Sequence, residues 1–313
     1  MASSVKGKTA IVTGAGSGIN LCFAQALLEN GCNVVIADLA LRPEAQAVYD
    51  TFTTSPKAVF VKTDVADWSQ LEQLFTIAEK EFGEVGIVCP GAGIFEPNHS
   101  AFWFPPGSAP STDTTASSRY ATLDINLVHP IRMSQMAITH FLKHRRPEDK
   151  EQKKKHILLV SSIAGHMPLF VGPLYSITKH GISALVQSLA PLDHSLGIRV
   201  VGIAPGITRT PIWLEHPDKM ALLDEQVDEW VLPEDVATMM LALVSQEKVG
   251  EAVGETDQEK LTIPVAGGTI LEVSKTVRAV SVFNDPGPIG RAGNTVTNFN
   301  DVQDMILQML GTS

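Results

Sequence analysis

The sequence predicts a single α/β domain on a doubly wound parallel sheet, extended by a C-terminal tail. Short apolar runs of strand length alternate with segments of helical period from residue 9 to residue 265, which is the pattern of repeated strand-helix-strand units. The first unit carries a glycine-rich turn, TGAGSGIN at residues 13–20, and Asp38 stands at the end of the strand that follows. No apolar run is long enough to span a bilayer, and no internal repeat interrupts the alternation.

Residues 9–13 read as a buried strand. The turn after them opens a helix that carries Leu21, Ala24, Leu27 and Leu28 inward and stops near Gly31. Residues 33–37, NVVIA, form the next buried strand. Glycines let backbone N–H groups approach a pyrophosphate at a helix N-terminus, and an acid at the second strand end binds a ribose diol. Asp38 follows Gly18 at the roughly 20-residue separation expected of that acid.

Residues 58–62 form a strand leading to Asp64 and Val65, and residues 68–82 an amphipathic helix. Residues 85–89 are a fourth strand, ending in PGAG at 90–93. The Phe/Pro/Ser/Thr-rich stretch 95–118, with Phe102, Trp103 and Phe104, is longer than most connections and reads as a functional insertion. Residues 120–142, including Asn126, have helical period. The charged run 145–155 mixes signs and lacks interleaved aromatics, so it reads as a solvated loop rather than a nucleic-acid patch. His140 and His144 have metal-ligand spacing but no third ligand in sight, so they read as exposed histidines, and no metal is expected.

Residues 157–160 are a strand that passes at Ser161 and Ser162 into a loop. After Pro173 the period becomes helical, with Ile182, Leu185, Val186 and Leu189 on one apolar face. Tyr175 and Lys179, four apart, project from one side of that helix. Free tyrosine ionises near about pH 10, and making it a proton acceptor near neutrality costs about 4 kcal/mol. One unit charge at about 4 Å, in an effective dielectric of ~20, supplies about that much. Ser162 at the strand end can donate a hydrogen bond to a substrate oxygen.

Residues 199–204 form a further strand, followed by PGITRTPIW at 205–213. Residues 215–230 read as a mobile helical flap and 233–247 as an amphipathic helix started by Pro-Glu-Asp. Residues 261–265 are expected to be the last strand, ending at Ala266-Gly267-Gly268. The domain then spans 1–269 and the tail 270–313. Within the tail, 283–300 reads as loop. Val302, Met305, Ile306, Met309 and Leu310 recur at helical spacing, with Asn300 or Asp301 as N-cap and Gly311 as the stop, giving a helix that docks on its own domain or on a neighbouring subunit.

A formal net charge of -10 argues against nucleic-acid or anionic-membrane partners, and 44% hydrophobic with 19% charged residues describes a globular chain. The opening residues lack the apolar core of a secretion signal, so a cytoplasmic location is expected. Cys22, Cys32 and Cys89 sit among apolar residues without metal-ligand spacing and read as buried, reduced thiols.

Over residues 8–268 the chain resembles the short-chain dehydrogenase/reductase family and, more narrowly, looks like its fungal group similar to 15-hydroxyprostaglandin dehydrogenase. TGAGSGI matches the family's TGxxxGI turn, Asp64-Val65 the acid that touches adenine, and Ala92-Gly93 the AG of its NNAG segment. Asn126, Ser162, Tyr175 and Lys179 match its catalytic tetrad, and Pro205-Gly206 with Thr208 and Thr210 its PG motif. Three departures stand out. Asn20 replaces the third glycine of the turn, Pro90-Gly91 replace two asparagines, and Pro191 interrupts the helix begun near Tyr175.

The resemblance implies a Rossmann fold and hydride transfer between a nicotinamide cofactor and a secondary alcohol or ketone. It places the cofactor against Gly14, Ser17, Gly18, Ile19, Asp38, Leu39, Asp64, Val65, Gly91, Ala92, Gly93, Tyr175, Lys179, Pro205, Gly206, Ile207, Thr208 and Thr210. Tyr175 would take the hydroxyl proton, Ser162 orient the oxygen, Lys179 hold the ribose and depress the tyrosine pKa, and Asn126 hold a relay water. Asp38 favours NAD over NADP, with Arg42 the one nearby counter-signal, and NAD favours dehydrogenation. Phe95, residues 166–170 and residues 212–214 suggest a bulky lipophilic substrate, and the family suggests a homodimer or homotetramer. The alternatives are an NADPH-dependent ketoreductase and a catalytically idle NAD-binding sensor or scaffold.

Overall fold

The computed structural model describes residues 4–145, 154–250, 262–281 and 298–311. The first half runs β1 (Thr9–Thr13), α1 (Gly18–Glu29), β2 (Asn33–Asp38), α2 (Pro43–Thr51), β3 (Ala58–Lys62), α3 (Trp68–Phe82) and β4 (Ile87–Pro90). After the insertion come α4 (Ala121–Leu123), a π-helical turn (Asp124–Val128), α5 (His129–Lys143), β5 (Lys155–Val160), a 3-10 turn (Ile163–Gly165) and α6 (Pro173–Ser188). The remainder is α7 (Pro191–Leu196), β6 (Ile198–Pro205), α8 (Pro211–Leu214), α9 (Pro217–Met220), α10 (Pro233–Ser245), β7 (Lys248–Gly250), β8 (Thr262–Pro264), β9 (Ile270–Val273), β10 (Val277–Ala279) and α11 (Phe299–Gly311). Among the described residues no helix is long and apolar enough to cross a membrane.

The main sheet has the order β10-β9-β6-β5-β4-β1-β2-β3 and is parallel except for β10. Buried on both faces, its strands read as nearly continuous apolar runs. Successive residues still divide between the faces. Val12 and Ile36 pack with Phe23, Leu27 and Met240 from α1 and α10, while Ile11 and Val35 pack with Leu74, Met133 and Ile182 from α3, α5 and α6. The strand order reverses between β1 and β4, and in such sheets a crevice opens at the carboxyl ends of the strands at that point.

Several boundaries hold closely: α3 and β3 fall on the expected residues, and α6 stops at Ser188 with Pro191 starting α7. Cys32 and Cys89 are buried and Cys22 is half-buried, all three unbridged. Burial raises their thiol pKa values, to about 11 for Cys22 and about 12 for Cys32. The charged run falls largely on residues outside those described, as does most of the 283–300 loop.

The expected last strand is a correction. Thr262–Pro264 pairs antiparallel with Lys248–Gly250 in a separate ribbon, and β9 pairs along the edge of β6, with β10 outside it. Two backbone bonds hand the chain onto that edge, Gly268 N–H to Val200 O at 2.8 Å and Gly202 N–H to Thr269 O at 2.8 Å. Gly268 takes a positive φ of 89° in this turn, so the glycine pair precedes a strand instead of ending one. Ile270, Leu271 and Val273 are buried in the core, and the boundary expected at 269/270 therefore falls just ahead of two strands of the main sheet.

The tail helix also docks differently. Leu307 and Leu310 pack against the core beside α7, but Val302, Met305, Ile306 and Met309 are exposed. Of the expected stripe, Leu310 packs on the core. The flap carries only a short α9 and turns, in place of a continuous helix.

Candidate active site

A crevice of ≈ 390 Å³ lies over the carboxyl ends of the strands, within the size range of small-molecule sites. Its lining brings together Gly14, Ser17, Gly18 and Ile19 from the glycine turn, Asp38 and Leu39 after β2, and Asp64 and Val65 after β3. Gly91, Ala92 and Gly93 follow from β4, Ser162, Tyr175 and Lys179 from the centre, and Pro205, Gly206, Thr208 and Thr210 after β6. Two expected residues lie outside the lining. The Ile207 carbonyl accepts from Val231 N–H at 2.9 Å, anchoring the chain beyond the flap, and Asn126 is buried behind the wall.

The glycine turn is a backbone cradle. A Cβ on Gly14 would come within 2.6 Å of Ala92 Cα, and one on Gly16 would press on the Ala40 carbonyl and stand 2.8 Å from Asp38 Oδ2. Asp38 pins the turn, its Oδ2 accepting Gly16 N–H at 2.8 Å and its Oδ1 accepting Leu39 N–H at 2.7 Å. Arg42, half-exposed nearby, is engaged bidentately by Glu215, with 2.6 Å between Nη2 and Oε2. These features fit the pyrophosphate and ribose of a dinucleotide.

At the other end, Ser162 caps the 3-10 turn by accepting Ala164 N–H at 3.2 Å, and its hydroxyl also hydrogen-bonds Tyr175. Pro173 starts α6, and Tyr175 N–H donates to Glu96 Oε2 at 2.8 Å, so a carboxylate 79 residues earlier caps the helix that carries Tyr175 and Lys179. Glu96 also accepts Phe102 N–H at 2.8 Å and sits at φ 30°, a conformation held by these two bonds. Nothing local in the sequence marks Glu96, because its partner is brought by the fold.

Lys179 Nζ donates to Val160 O at 2.9 Å and stands 5.4 Å from the Tyr175 ring centroid. Burial lowers the lysine pKa to about 8 and raises that of the tyrosine, which the Ser162 hydrogen bond partly offsets. Desolvation of both side chains opposes the attraction between ammonium and phenolate and in these surroundings outweighs it.

Asn126 lies in the π-helical turn, where His129 N–H reaches Asp124 O and residue 130, a proline, has no N–H to give Asn126 O. Both polar atoms of its amide engage one residue: Oδ1 accepts Ile94 N–H at 2.9 Å and Nδ2 donates to Ile94 O at 2.7 Å. The side chain thus clamps the chain after β4 instead of reaching into the crevice. His129 extends the tie, its Nε2 lying 3.1 Å from Thr13 Oγ1, which accepts Ala92 N–H at 3.2 Å.

Phe95 makes an edge contact with Tyr175, centroids 4.8 Å apart, and packs on Trp213 at 5.1 Å. Lys219, a buried side chain of the flap itself, places Nζ 5.2 Å from the Phe95 ring. The 166–170 segment divides: His166 turns inward to Ser183 Oγ at 2.9 Å, while Met167 and Phe170 are exposed. His140 corrects a further expectation, being buried, with Glu79 as a third neighbouring group beside His144. His140 Nε2 accepts Val85 N–H, so in the neutral ring its Nδ1 carries the proton that faces Glu79 at 3.3 Å. A protonated nitrogen is not a metal ligand, and the cluster reads as hydrogen-bonded.

The short chain dehydrogenase family model matches residues 8–221. The 15-hydroxyprostaglandin dehydrogenase (NAD(+)) of Rattus norvegicus is 32% identical over 231 residues, covering 72% of this chain and 78% of its own. Galactitol 2-dehydrogenase of Agrobacterium fabrum is 29% identical over 254 residues, 77% of this chain and 91% of its own. The (S)-acetoin-forming diacetyl reductase of Staphylococcus epidermidis is 26% identical over 286 residues, 91% and 99% respectively. With the glycine cradle, the tyrosine-lysine helix and the reversal of strand order meeting at one crevice, the chain belongs to the short-chain dehydrogenase family and is an oxidoreductase of alcohols or ketones with a nicotinamide cofactor.

Proposed function

We propose that this enzyme oxidises a bulky lipophilic secondary alcohol with NAD, and that it works as a homo-oligomer. The observation that carries the cofactor choice is the pair of acids around Arg42. Asp38 presents its carboxylate to the ribose position, and Glu215 engages Arg42, a nearby cation that could meet a 2′-phosphate. The aromatic wall of Phe95, Trp213 and Tyr175 supports a lipophilic substrate. The name of the prostaglandin-oxidising relatives agrees with both choices.

The nicotinamide, when bound, supplies the hydride acceptor. Tyr175 takes the hydroxyl proton at its phenolic oxygen, and Ser162 orients the substrate oxygen while hydrogen-bonding the phenol. Lys179 holds the nicotinamide ribose, and as an ammonium it favours the phenolate. Asn126 is a positioning residue. The relay water belongs at its main-chain carbonyl, which Pro130 leaves without the usual helical donor.

The test is cofactor-dependent absorbance with a panel of lipophilic secondary alcohols and ketones, with NAD and NADP in parallel. Turnover of an alcohol with NAD is the expected result, and Tyr175→Phe should abolish it with NAD affinity kept within a few-fold. NAD binding without turnover of any panel member would favour the idle sensor, and a preference for NADPH with ketones would favour the reductase.

A further inference from the structure

Two departures from the family pattern, Asn20 in the glycine turn and Gly91 after β4, meet in space. Asn20, buried on the first turn of α1, donates from Nδ2 to Gly91 O at 2.8 Å. A Cβ on Gly91 would lie 2.6 Å from Asn20 Cγ, 2.7 Å from Nδ2, and closer still to Oδ1. A Cβ on Gly14 would stand 3.1 Å from the same Nδ2. Three backbones therefore surround one small space, and a single amide fills it.

We infer that positions 20 and 91 are an exchangeable pair: the amide that a strand-end asparagine would supply comes from the helix start, and Asn20 is a positioning residue for the cofactor crevice. The two walls it joins carry the cradle, since Gly14 lies against Ala92, and Ala92 N–H is tied to Thr13. Without the amide, Gly91 O loses its donor and the end of β4 its fixed distance from the turn. With an amide at both positions, the second cannot fit unless the first breaks its bond. Each departure alone is unfavourable, and together they are compatible. The inference rests on the cofactor reading only for its affinity arm.

The experiment is a double-mutant cycle of Asn20→Gly, Gly91→Asn and the two combined, read by melting of the cofactor-free protein and by calorimetric NAD affinity. Asn20→Gly should lower the melting temperature and weaken NAD at least 5-fold with kcat at saturating NAD nearly unchanged. Gly91→Asn should be worse in both. The double variant should melt above either single one and bind NAD within about 2-fold of the wild type. If Gly91→Asn is insoluble, Gly91→Ala replaces it, and its melting should rise when Asn20→Gly is added. A double variant no better than additive in melting overturns the inference. Wild-type protein that binds no NAD would refute the cofactor reading instead, with the melting cycle still testing the pair.

Discussion

Replacing Asp38 with serine should lower NAD affinity, admit NADP and soften the glycine turn together, because one carboxylate serves all three. Its two oxygens accept Gly16 and Leu39 N–H at 2.8 and 2.7 Å, and hydrogen bonds to a charged group contribute about 1.5–3 kcal/mol each. Losing one ribose bond of that strength is about 10-fold or more in NAD affinity. A 2′-phosphate of about two charges near 4 Å from the carboxylate costs about 2 kcal/mol in water and more at lower dielectric. Asp38 is half-exposed, so about 2–4 kcal/mol applies, or roughly 30- to 700-fold against NADP in the wild type. Arg42 must then be released to favour NADP. Its pair with Glu215 is solvent-exposed and therefore weak, so adding Glu215→Gln to Asp38→Ser should improve NADP further. The assay is kcat/KM for both cofactors with one fixed substrate, beside melting of the cofactor-free protein. Wild-type protein preferring NADP, or Asp38→Ser with unchanged NAD kinetics and unchanged melting, would refute the reasoning.

Lys179→Met should reduce both NAD affinity and turnover, whereas a loss of turnover alone would remove the ribose from its duties. His129 is buried neutral, with its pKa lowered from 6.5 to about 4 by burial. The unfolded chain then binds the extra proton between those values, so stability falls as pH drops from about 6.5 to about 4, by up to about 3 kcal/mol from this group. Melting curves should flatten across that window in His129→Gln, and an unchanged slope would count against it. Truncation after residue 298 removes Leu307 and Leu310 from the surface of α7 and should lower the melting temperature by several degrees. Unchanged melting and light-scattering mass would make α11 dispensable.

The alternation of runs was enough to specify the parallel sheet, because strands buried on both faces and helices with one apolar face have distinct periods. The glycine turn, Asp38 and the Tyr175–Lys179 spacing were legible for a related reason: their geometry is local, set within one turn or one helix. Gly267-Gly268 misled, since a glycine pair marks a reversal without saying whether a strand lies before or after it. Only the edge of β6, 60-odd residues earlier, selects Ile270–Val273. The same limit hid Glu96, whose carboxylate caps Tyr175 across 79 residues, and the amide of Asn126, whose partner Ile94 is 32 residues away. It also made Asn20 and Gly91 look like two unrelated departures, 71 positions apart. Spacing carries the charge of Lys179 but not its desolvation, and burial lowers the Lys179 pKa and raises that of Tyr175, against the direction that pairing alone would give. Period and local spacing reside in the chain, while burial and long-range partners exist only after the sheet has brought the strand ends together.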